Sequence, residues 1–157
     1  MQKITTWLWF ETQAEEAARF YVSVFRNAKL GEIMHAPGGG EPHVHEGDVL
    51  TVGFEIEGKQ FFALNGGAVP DKPNMTVSHL VLCADQAEID DYWTRLIADG
   101  GKEVQCGWVT DKYGYAWQIV PENLLLLMSG PNRERAARIM AAMQQMIKLD
   151  IAALEAA

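Results

Sequence analysis

The stretch ITTWLWFETQAEEAARFY (4–21) decides the fold, because its pattern returns 73 residues later as VSHLVLCADQAEIDDYWT (77–94). Each copy begins with a short apolar run that predicts a β-strand. Each copy then carries a helix-capping residue followed by an amphipathic helical spacing. With the sequence shifted by 73 residues, TQAE (12–15) lies over DQAE (85–88). A strand, a cap and a helix that recur in the same order indicate an internal repeat.

The first copy predicts four strands and one helix. Thr12 is the expected N-cap of the helix, with Glu15 three residues later in the capping-box position. The Gly- and Pro-rich segment 36–48 predicts a loop, and Glu57-Gly58 predicts a tight hairpin turn. We expect the helix over 13–26 and the strands over 4–10, 29–34, 49–56 and 59–64.

The second copy repeats this order and is followed by a helical tail. Asp85 is the expected N-cap of its helix, and Gly100-Gly101 is the expected end. We expect the helix over 86–98 and the strands over 77–84, 103–109 and 115–120. After Pro131 the chain has two helical stretches and one apolar stripe, formed by Met140, Met143, Ile147, Ile151 and Leu154. This stripe packs either on its own domain or on a second subunit, and the pattern does not choose between the two.

These elements predict an α+β fold of two tandem βαβββ modules that form a curved mixed sheet, with C-terminal helices added. We expect residues 1–157 to make one domain, in which module one spans 1–66, module two 75–130 and the tail 131–157. The length suits one domain with a sizeable core.

Composition and charge narrow the range of functions. The chain has 157 residues, a net charge of −8 and no basic stripe, which argues against a nucleic-acid partner. No apolar run of about 18 residues exists, so we expect no membrane partner. Cys83 and Cys106 are isolated and belong to no CxxC pair, which favours reduced thiols and a cytoplasmic location.

Four segments in order resemble one branch of a known superfamily. They are ITTWLWFETQAEEAARFY (4–21), FEIEGKQFFALNGG (54–67), QCGWVTDKYGYAWQIVP (105–121) and KLDIAALEAA (148–157). The chain resembles the vicinal-oxygen-chelate superfamily, which has the glyoxalase and bleomycin-resistance fold, and within it the PhnB-like proteins. That branch is often labelled a 3-demethylubiquinone 3-methyltransferase domain.

The residues themselves do not support a methyltransferase. A methyltransferase that uses S-adenosylmethionine usually has a Gly-rich loop between a first strand and a helix. The Gly38-Gly39-Gly40 run instead lies between two predicted strands, with Pro37 and Pro42 beside it, and opens no helix.

The resemblance implies a divalent-metal site in the cup of the sheet, with one ligand from each of four strands. Its first position, counted from the Phe-Tyr pair of the helix, is Thr6, and the equivalent in module two is His79. Its last position, counted from Gly114, is Gln118. Alternation along strand 49–56 makes Glu55 the remaining candidate. Because Thr and Gln are weak neutral donors, tightly held Zn²⁺ or Ni²⁺ is not expected; a labile divalent metal on Glu55 and His79 stays open.

Glu55 and His79 allow two interpretations. As a catalytic pair, a carboxylate beside an imidazole would tune general acid–base chemistry. As structural residues, His79 would be a hydrogen-bonded core side chain and Glu55 its partner. The resemblance implies that Thr6 and Gln118 line the pocket, and the same alternation adds Leu8, Phe10, Thr51, Val81 and Cys83.

Other candidate groups are weaker. His35, His43 and His45 together with Glu41, Glu46 and Asp48 resemble a metal cluster, but a solvated loop explains them equally well. Cys106 has no neighbouring base in the sequence, which leaves nucleophilic catalysis unsupported. Trp9, Trp108 and Trp117 suit either a core or an aromatic wall for a planar ligand.

Three functions follow from the residues and the resemblance. The first is a homodimeric protein of the PhnB-like branch that binds a small molecule. The second is a metal-dependent lyase, isomerase or dioxygenase acting on a substrate with adjacent oxygens. The third is sequestration of a cationic drug, as in bleomycin-resistance relatives, which the acidic net charge allows.

Overall fold

Each half of the chain folds as a βαβββ module with its own four-stranded mixed sheet, as the repeat predicts. The computed structural model describes residues 3–40, 42–68 and 71–157. The chain divides into two compact units, Met1–Lys72 and Pro73–Ala157. In the described part of the chain, no helix has the length and apolar character needed to cross a membrane.

The first unit has the strand order β1-β4-β3-β2, in which β1 runs parallel to β4 and the other neighbours are antiparallel. The predicted strand 49–56 and the loop 36–48 are confirmed. Glu57 and Gly58 both have positive φ, 48° and 73°, as a two-residue hairpin turn requires. The elements are β1 (Thr6–Phe10), α1 (Ala14–Val24), β2 (Ala28–His35), β3 (Val49–Ile56) and β4 (Lys59–Asn65).

The start of α1 differs from the prediction. Gln13, not Thr12, occupies the N-cap position, and its side chain makes no capping hydrogen bond. The buried side chain of Asn65 replaces the local cap, because its Oδ1 accepts a hydrogen bond from the Ala14 backbone N–H at 2.8 Å. The same side chain donates from Nδ2 to the Val49 carbonyl oxygen at 2.9 Å. A residue from β4 thus fixes both the helix start and the entry to β3.

Aromatic stacking joins α1 to one face of the first sheet. The ring of Tyr21 on α1 stacks on Phe54 of β3, with centroids 5.6 Å apart, and Phe54 stacks on Phe61 of β4 at 5.3 Å. Residues paired across neighbouring strands share a sheet face, so the pairing register identifies every residue on this helix-facing side. All three rings are buried, so they contribute to the apolar contact between α1 and the sheet.

The second unit has the strand order β5-β8-β7-β6, with β5 parallel to β8. Asp85 caps its first helix as predicted, accepting a hydrogen bond from the Glu88 N–H at 2.8 Å. A 3-10 turn over Ala98–Gly100 follows this helix. The elements are β5 (Ser78–Cys83), α2 (Gln86–Ile97), β6 (Lys102–Glu103), β7 (Trp108–Thr110), β8 (Ala116–Pro121), α3 (Leu124–Ser129), α4 (Arg133–Gln145) and α5 (Ile151–Ala156).

The predicted strand 103–109 is wrong, because the chain breaks it into β6 and β7. Cys106 and Gly107 adopt positive φ, 62° and 80°, which no regular strand allows. Their backbone N–H groups donate to the carbonyl oxygens of Met146 and Ile147, both at 2.8 Å. The tail therefore takes the hydrogen bonds that a continuous strand would have used.

The two helices predicted after Pro131 are confirmed as α4 and α5, and they pack within the second unit. A further short helix, α3, precedes Pro131. The helical stripe predicted from Met140 to Leu154 is interrupted between α4 and α5, and Ile147 is exposed. Gln86 on α2 joins the tail by donating to the Leu149 carbonyl oxygen at 3.1 Å and accepting from the Ile151 N–H at 2.9 Å. The apolar core between tail and sheet consists of Val120, Leu124, Ile139, Leu149 and Leu154.

Candidate functional site

The face of the first sheet that turns away from α1 carries most of its exposed apolar and charged side chains. We call it the open face. The pairing of β1 with β4 and of β4 with β3 defines its members, which lie opposite one another across the strands. They are Trp7, Trp9, Thr51, Gly53, Glu55, Gln60, Phe62 and Leu64.

Two aromatic rings form a flat surface on the open face. The ring of Trp7 stacks on that of Phe62, with centroids 4.7 Å apart and planes 18° from parallel. Trp7 is nevertheless 52% exposed. Gly53 lies opposite Phe62, and a β-carbon there would come within 3.3 Å of its ring. Glycine at this position lets Phe62 lie close to the backbone and support Trp7; we call this pair the aromatic platform.

The indole N–H groups of the open face are used within the chain. Trp7 donates from Nε1 to the Thr5 hydroxyl oxygen, and Trp9 donates to the Gly67 carbonyl oxygen, both at 3.1 Å. Gly66 is required for the second contact, because a β-carbon there would lie 2.2 Å from the Trp9 ring. These rings therefore present apolar π surface rather than hydrogen-bond donors.

Glu55 lies on the open face as strand alternation predicts, but its partner is Lys29, not His79. The Lys29 Nζ is 3.2 Å from Glu55 Oε1, and the two side chains are 72% and 37% exposed. Lys29 on β2 is directly opposite Glu55 on β3. The neighbouring predicted residue, Thr51, is on the same face and is buried.

Three residues predicted to line the pocket lie on the other face. Thr6, Leu8 and Phe10 are paired with residues of β4 on the helix-facing side, and both Leu8 and Phe10 are buried. The count from the Phe-Tyr pair fixes distance along the chain and not the direction of a side chain, and these three residues lie on the face opposite to that of Glu55. The open face of β1 consists of Trp7 and Trp9 instead.

His79 packs in the second unit against an aromatic ring. Its ring centroid is 4.8 Å from that of Trp117, the residue directly opposite on β8. Trp117 is buried and donates from Nε1 to Asp111 Oδ2 at 2.9 Å. Asp111 Oδ1 also accepts from the Tyr113 and Tyr115 backbone N–H groups, so the carboxylate orders the turn between β7 and β8.

Val81 and Cys83 share the sheet face of His79, and Cys83 is fully buried. Gln118 lies on the opposite face and donates to the Ser78 hydroxyl oxygen at 2.7 Å. His79 and Gln118 are thus not on one face of this sheet. On β5, the residues on the same face as Gln118 include Leu80 and Leu82, which are 50% and 51% exposed.

The histidines of the first unit do not gather as the sequence suggested. Within residues 3–40, 42–68 and 71–157, no three His, Cys, Asp or Glu side chains are placed to hold a metal ion. His35 contacts the Gly47 carbonyl oxygen at 2.9 Å, and the His43 ring lies against Gly67. Glu41, which was grouped with them, lies outside the described residues.

The aromatic platform was not predicted from the sequence, although the signal was present. Trp7 and Trp9 alternate with Leu8 and Phe10 in β1, and only one set of the two can face α1. Trp9 was considered as an aromatic wall, whereas Trp7 and its support Phe62 were not. Phe61 and Phe62 are consecutive on β4 and face opposite sides of the sheet. Because both are aromatic, the sequence does not show which of the two faces the helix.

The repeated module and its sheets define the class of the protein. The fold is that of the vicinal-oxygen-chelate superfamily, with helices added at the C-terminal end. A sequence model described as 3-demethylubiquinone-9 3-methyltransferase matches residues 2–120, and the chain belongs to this PhnB-like family. Residues 121–157 lie outside the match.

Solved structures agree with this assignment. The PhnB protein from Bacillus cereus is 31% identical, with a TM-score of 0.66 over 76% of this chain and 98% of that chain. Protein PA1353 from Pseudomonas aeruginosa is 19% identical, with a TM-score of 0.59 over 77% of this chain and 97% of that one. The fosfomycin resistance protein FosX from Mesorhizobium loti is 15% identical, with a TM-score of 0.53 over 88% and 100%. The last two show the fold alone. No curated protein matches the chain.

Proposed function

We propose that this protein binds a planar small molecule on the open face of its first sheet. The observation that carries the proposal is the aromatic platform, in which Trp7 is stacked on Phe62 and still half exposed. Exposed tryptophan is costly in water, and a flat ligand would cover it by stacking.

The surroundings of the platform support a binding role. The platform is held by Gly53 beneath Phe62 and by the Trp7–Thr5 hydrogen bond, so both rings are ordered before a ligand arrives. Polar groups lie beside it on the same face, namely Glu55, Gln60 and Thr51. A mostly apolar surface with a few placed polar groups is typical of small-molecule sites.

A screen of aromatic fragments by ligand-detected NMR tests the proposal. We expect fragments that bind the wild type to lose their signal change with Trp7→Ala and to retain it with Trp7→Phe, which keeps a ring for stacking. The matched control is Leu125→Ala, because Leu125 is similarly exposed and lies on α3 of the second unit. Fragment binding that survives Trp7→Ala at full strength would exclude the platform as the site.

The catalytic use of Glu55 and His79, with or without a labile metal, remains a prediction. Each side chain has a neighbour within its own unit, Lys29 for Glu55 and Trp117 for His79. Neither contact is the Glu55–His79 pairing that both interpretations assumed, and neither by itself favours a reaction.

A cytoplasmic location is also part of the proposal. Cys83 and Cys106 are both free thiols, and reducing compartments preserve such thiols. Recovery of the protein in a periplasmic or secreted fraction would contradict this location.

A further inference from the structure

Building on the function proposed above, we infer that the ligand of the open face is a planar aromatic cation. We further infer that the Lys29 ammonium pairs with Glu55 in the free protein, and that the charged group of the ligand replaces it. The inference names a ligand class and assigns Lys29 the role of an internal competitor.

The strand register places the carboxylate within reach of the rings. Gly53 is opposite Phe62, and Glu55 is opposite Gln60, so Glu55 and Phe62 are diagonal neighbours on one face. Diagonal neighbours of an antiparallel pair are about 7–8 Å apart at the backbone, a distance that side chains cross easily. A two-ring ligand lying on the platform can therefore bring a charged ring atom or substituent to Glu55.

The chemistry of the open face favours a cation. The Trp7 N–H is directed to Thr5, so the indole offers its electron-rich face, to which a cationic ring is attracted. Glu55, the diagonal neighbour of Phe62, adds a negative charge on the same sheet face, and the net charge of the chain is −8. An anionic ligand would meet repulsion from Glu55, and a neutral ligand would gain only the stacking.

Lys29 is well suited to be displaced. Its ammonium is 3.2 Å from Glu55, but the lysine side chain is 72% exposed, and exposed ion pairs of this kind contribute little to stability. A ligand cation that also stacks gains contacts that Lys29 lacks. Removal of Lys29 should therefore leave the fold intact and strengthen binding of the cation.

The test compares two probes of nearly equal shape, N-methylquinolinium and quinoline, which is neutral at pH 7.5. Titration of the full chain by calorimetry is expected to show about 25-fold tighter binding of the cation, about fivefold from an exposed cation–π contact and about fivefold from Glu55. Glu55→Gln should lower the affinity for N-methylquinolinium about fivefold and leave quinoline unchanged. Lys29→Met should raise the affinity for N-methylquinolinium about threefold, again with quinoline unchanged.

Lys59→Met is the matched control, because it removes the same charge from the same sheet. Lys59 lies over the Phe61 ring, 5.3 Å from its centroid, and is paired with Ile56, away from Glu55. It should leave both affinities unchanged. Equal gains from Lys29→Met and Lys59→Met would overturn the inference, because net charge alone would then explain them.

The outcomes separate this inference from the proposed function. If Trp7→Ala weakens both probes while Glu55→Gln and Lys29→Met change neither, the platform binds ligands but the assignment to cations is wrong. If Trp7→Ala changes neither probe, the proposed function itself fails. Circular dichroism of each variant confirms that the fold is retained.

Discussion

The side chain of Asn65 supports two elements of the first unit. It accepts from Ala14 at the start of α1 and donates to Val49 at the start of β3. Because it is buried, neither backbone group can exchange this partner for water without disturbing the packing. The residue therefore acts as a helix cap supplied from a distance of 51 positions along the chain.

We expect Asn65→Ala to lower the free energy of unfolding by about 1–3 kcal/mol, because two buried backbone groups lose their hydrogen bonds. Urea denaturation followed by circular dichroism measures this loss. Asn27→Ala is the control, since the Asn27 side chain bonds only to Glu57 at the surface and its removal should cost less than about 0.5 kcal/mol. Equal losses for the two variants would contradict the proposed cap.

At the residue scale, the sequence predicts side-chain contacts between near neighbours in the chain and misses contacts between residues that are far apart in the chain. Asp85 was identified as a cap because its own side chain closes the turn at Glu88. Thr12 was chosen by the same rule, but the capping oxygen of α1 belongs to Asn65, which no local pattern reveals. Glu55 was given its correct face, whereas its partner Lys29 depends on the β2–β3 register, which bulges near Leu30 and Ile33.

At the scale of elements, α2 helps to hold the tail of the second unit, together with the segment between β6 and β7. Gln86 binds residues on both sides of Asp150, and Asp90 forms an ion pair with Lys148 at 2.5 Å. The hydrogen bond from Lys148, that from Gln86 and the positive charge of Lys148 together lower the pKa of Asp90 below its ordinary value. A lowered pKa means that this carboxylate stabilises the folded state above its unfolded pKa and loses that effect as the pH falls through the folded value.

We therefore expect Asp90→Asn to cost less than about 1 kcal/mol at pH 7, the range of exposed ion pairs, and to cost progressively less below about pH 4. Denaturant titrations of wild type and variant at pH 7 and pH 3 provide the two differences. Asp91→Asn removes the same charge from α2 but touches Arg95 instead of the tail. Amide exchange at Cys106 and Gly107, which bond to the tail, should therefore change with Asp90→Asn and not with Asp91→Asn. A cost that increases towards pH 3 would be incompatible with the ion pair described here.

Element boundaries were predictable wherever one periodicity ran without interruption. Strand 49–56 was obtained in full because both its ends are marked, by the Gly-rich loop and by Glu57-Gly58. The failure at 103–109 has a tertiary cause, since the positive φ of Cys106 is stabilised by carbonyl groups about 40 residues later. Cysteine gives no local signal for such a conformation.

At the scale of the whole molecule, apolar side chains remain exposed on and before β5. Val77, Leu80 and Leu82 are each at least half exposed, and Met75 precedes them with a smaller exposed fraction. Leu80 and Leu82 lie on one face of β5, and exposed apolar side chains grouped in this way often mark an interface. We propose that a second copy of the chain covers it, which gives the expected homodimer a specific surface.

Light scattering coupled to size-exclusion chromatography should then give a mass of about 35 kDa, twice the 17.5 kDa of one chain. Val77→Glu combined with Leu82→Glu is expected to reduce this to the monomer mass, because each copy would place charges in an apolar contact. Leu125→Glu, which alters an exposed leucine on α3, should leave the dimer unchanged. A monomer in the wild type would rule out the pairing.

The packing of the tail also has a consequence for the order in which the chain folds during synthesis. All secondary-structure elements of the first unit lie within its first 65 residues, so this half can fold while the ribosome is still translating the rest. The core of the second unit includes Leu149 and Leu154, which emerge last. Until then Val120 and Leu124 lack their packing partners Leu149 and Leu154. The nascent second unit therefore exposes apolar side chains that chaperones can bind. Slow translation near the C-terminal end would thus lengthen the period of aggregation risk for this half of the molecule.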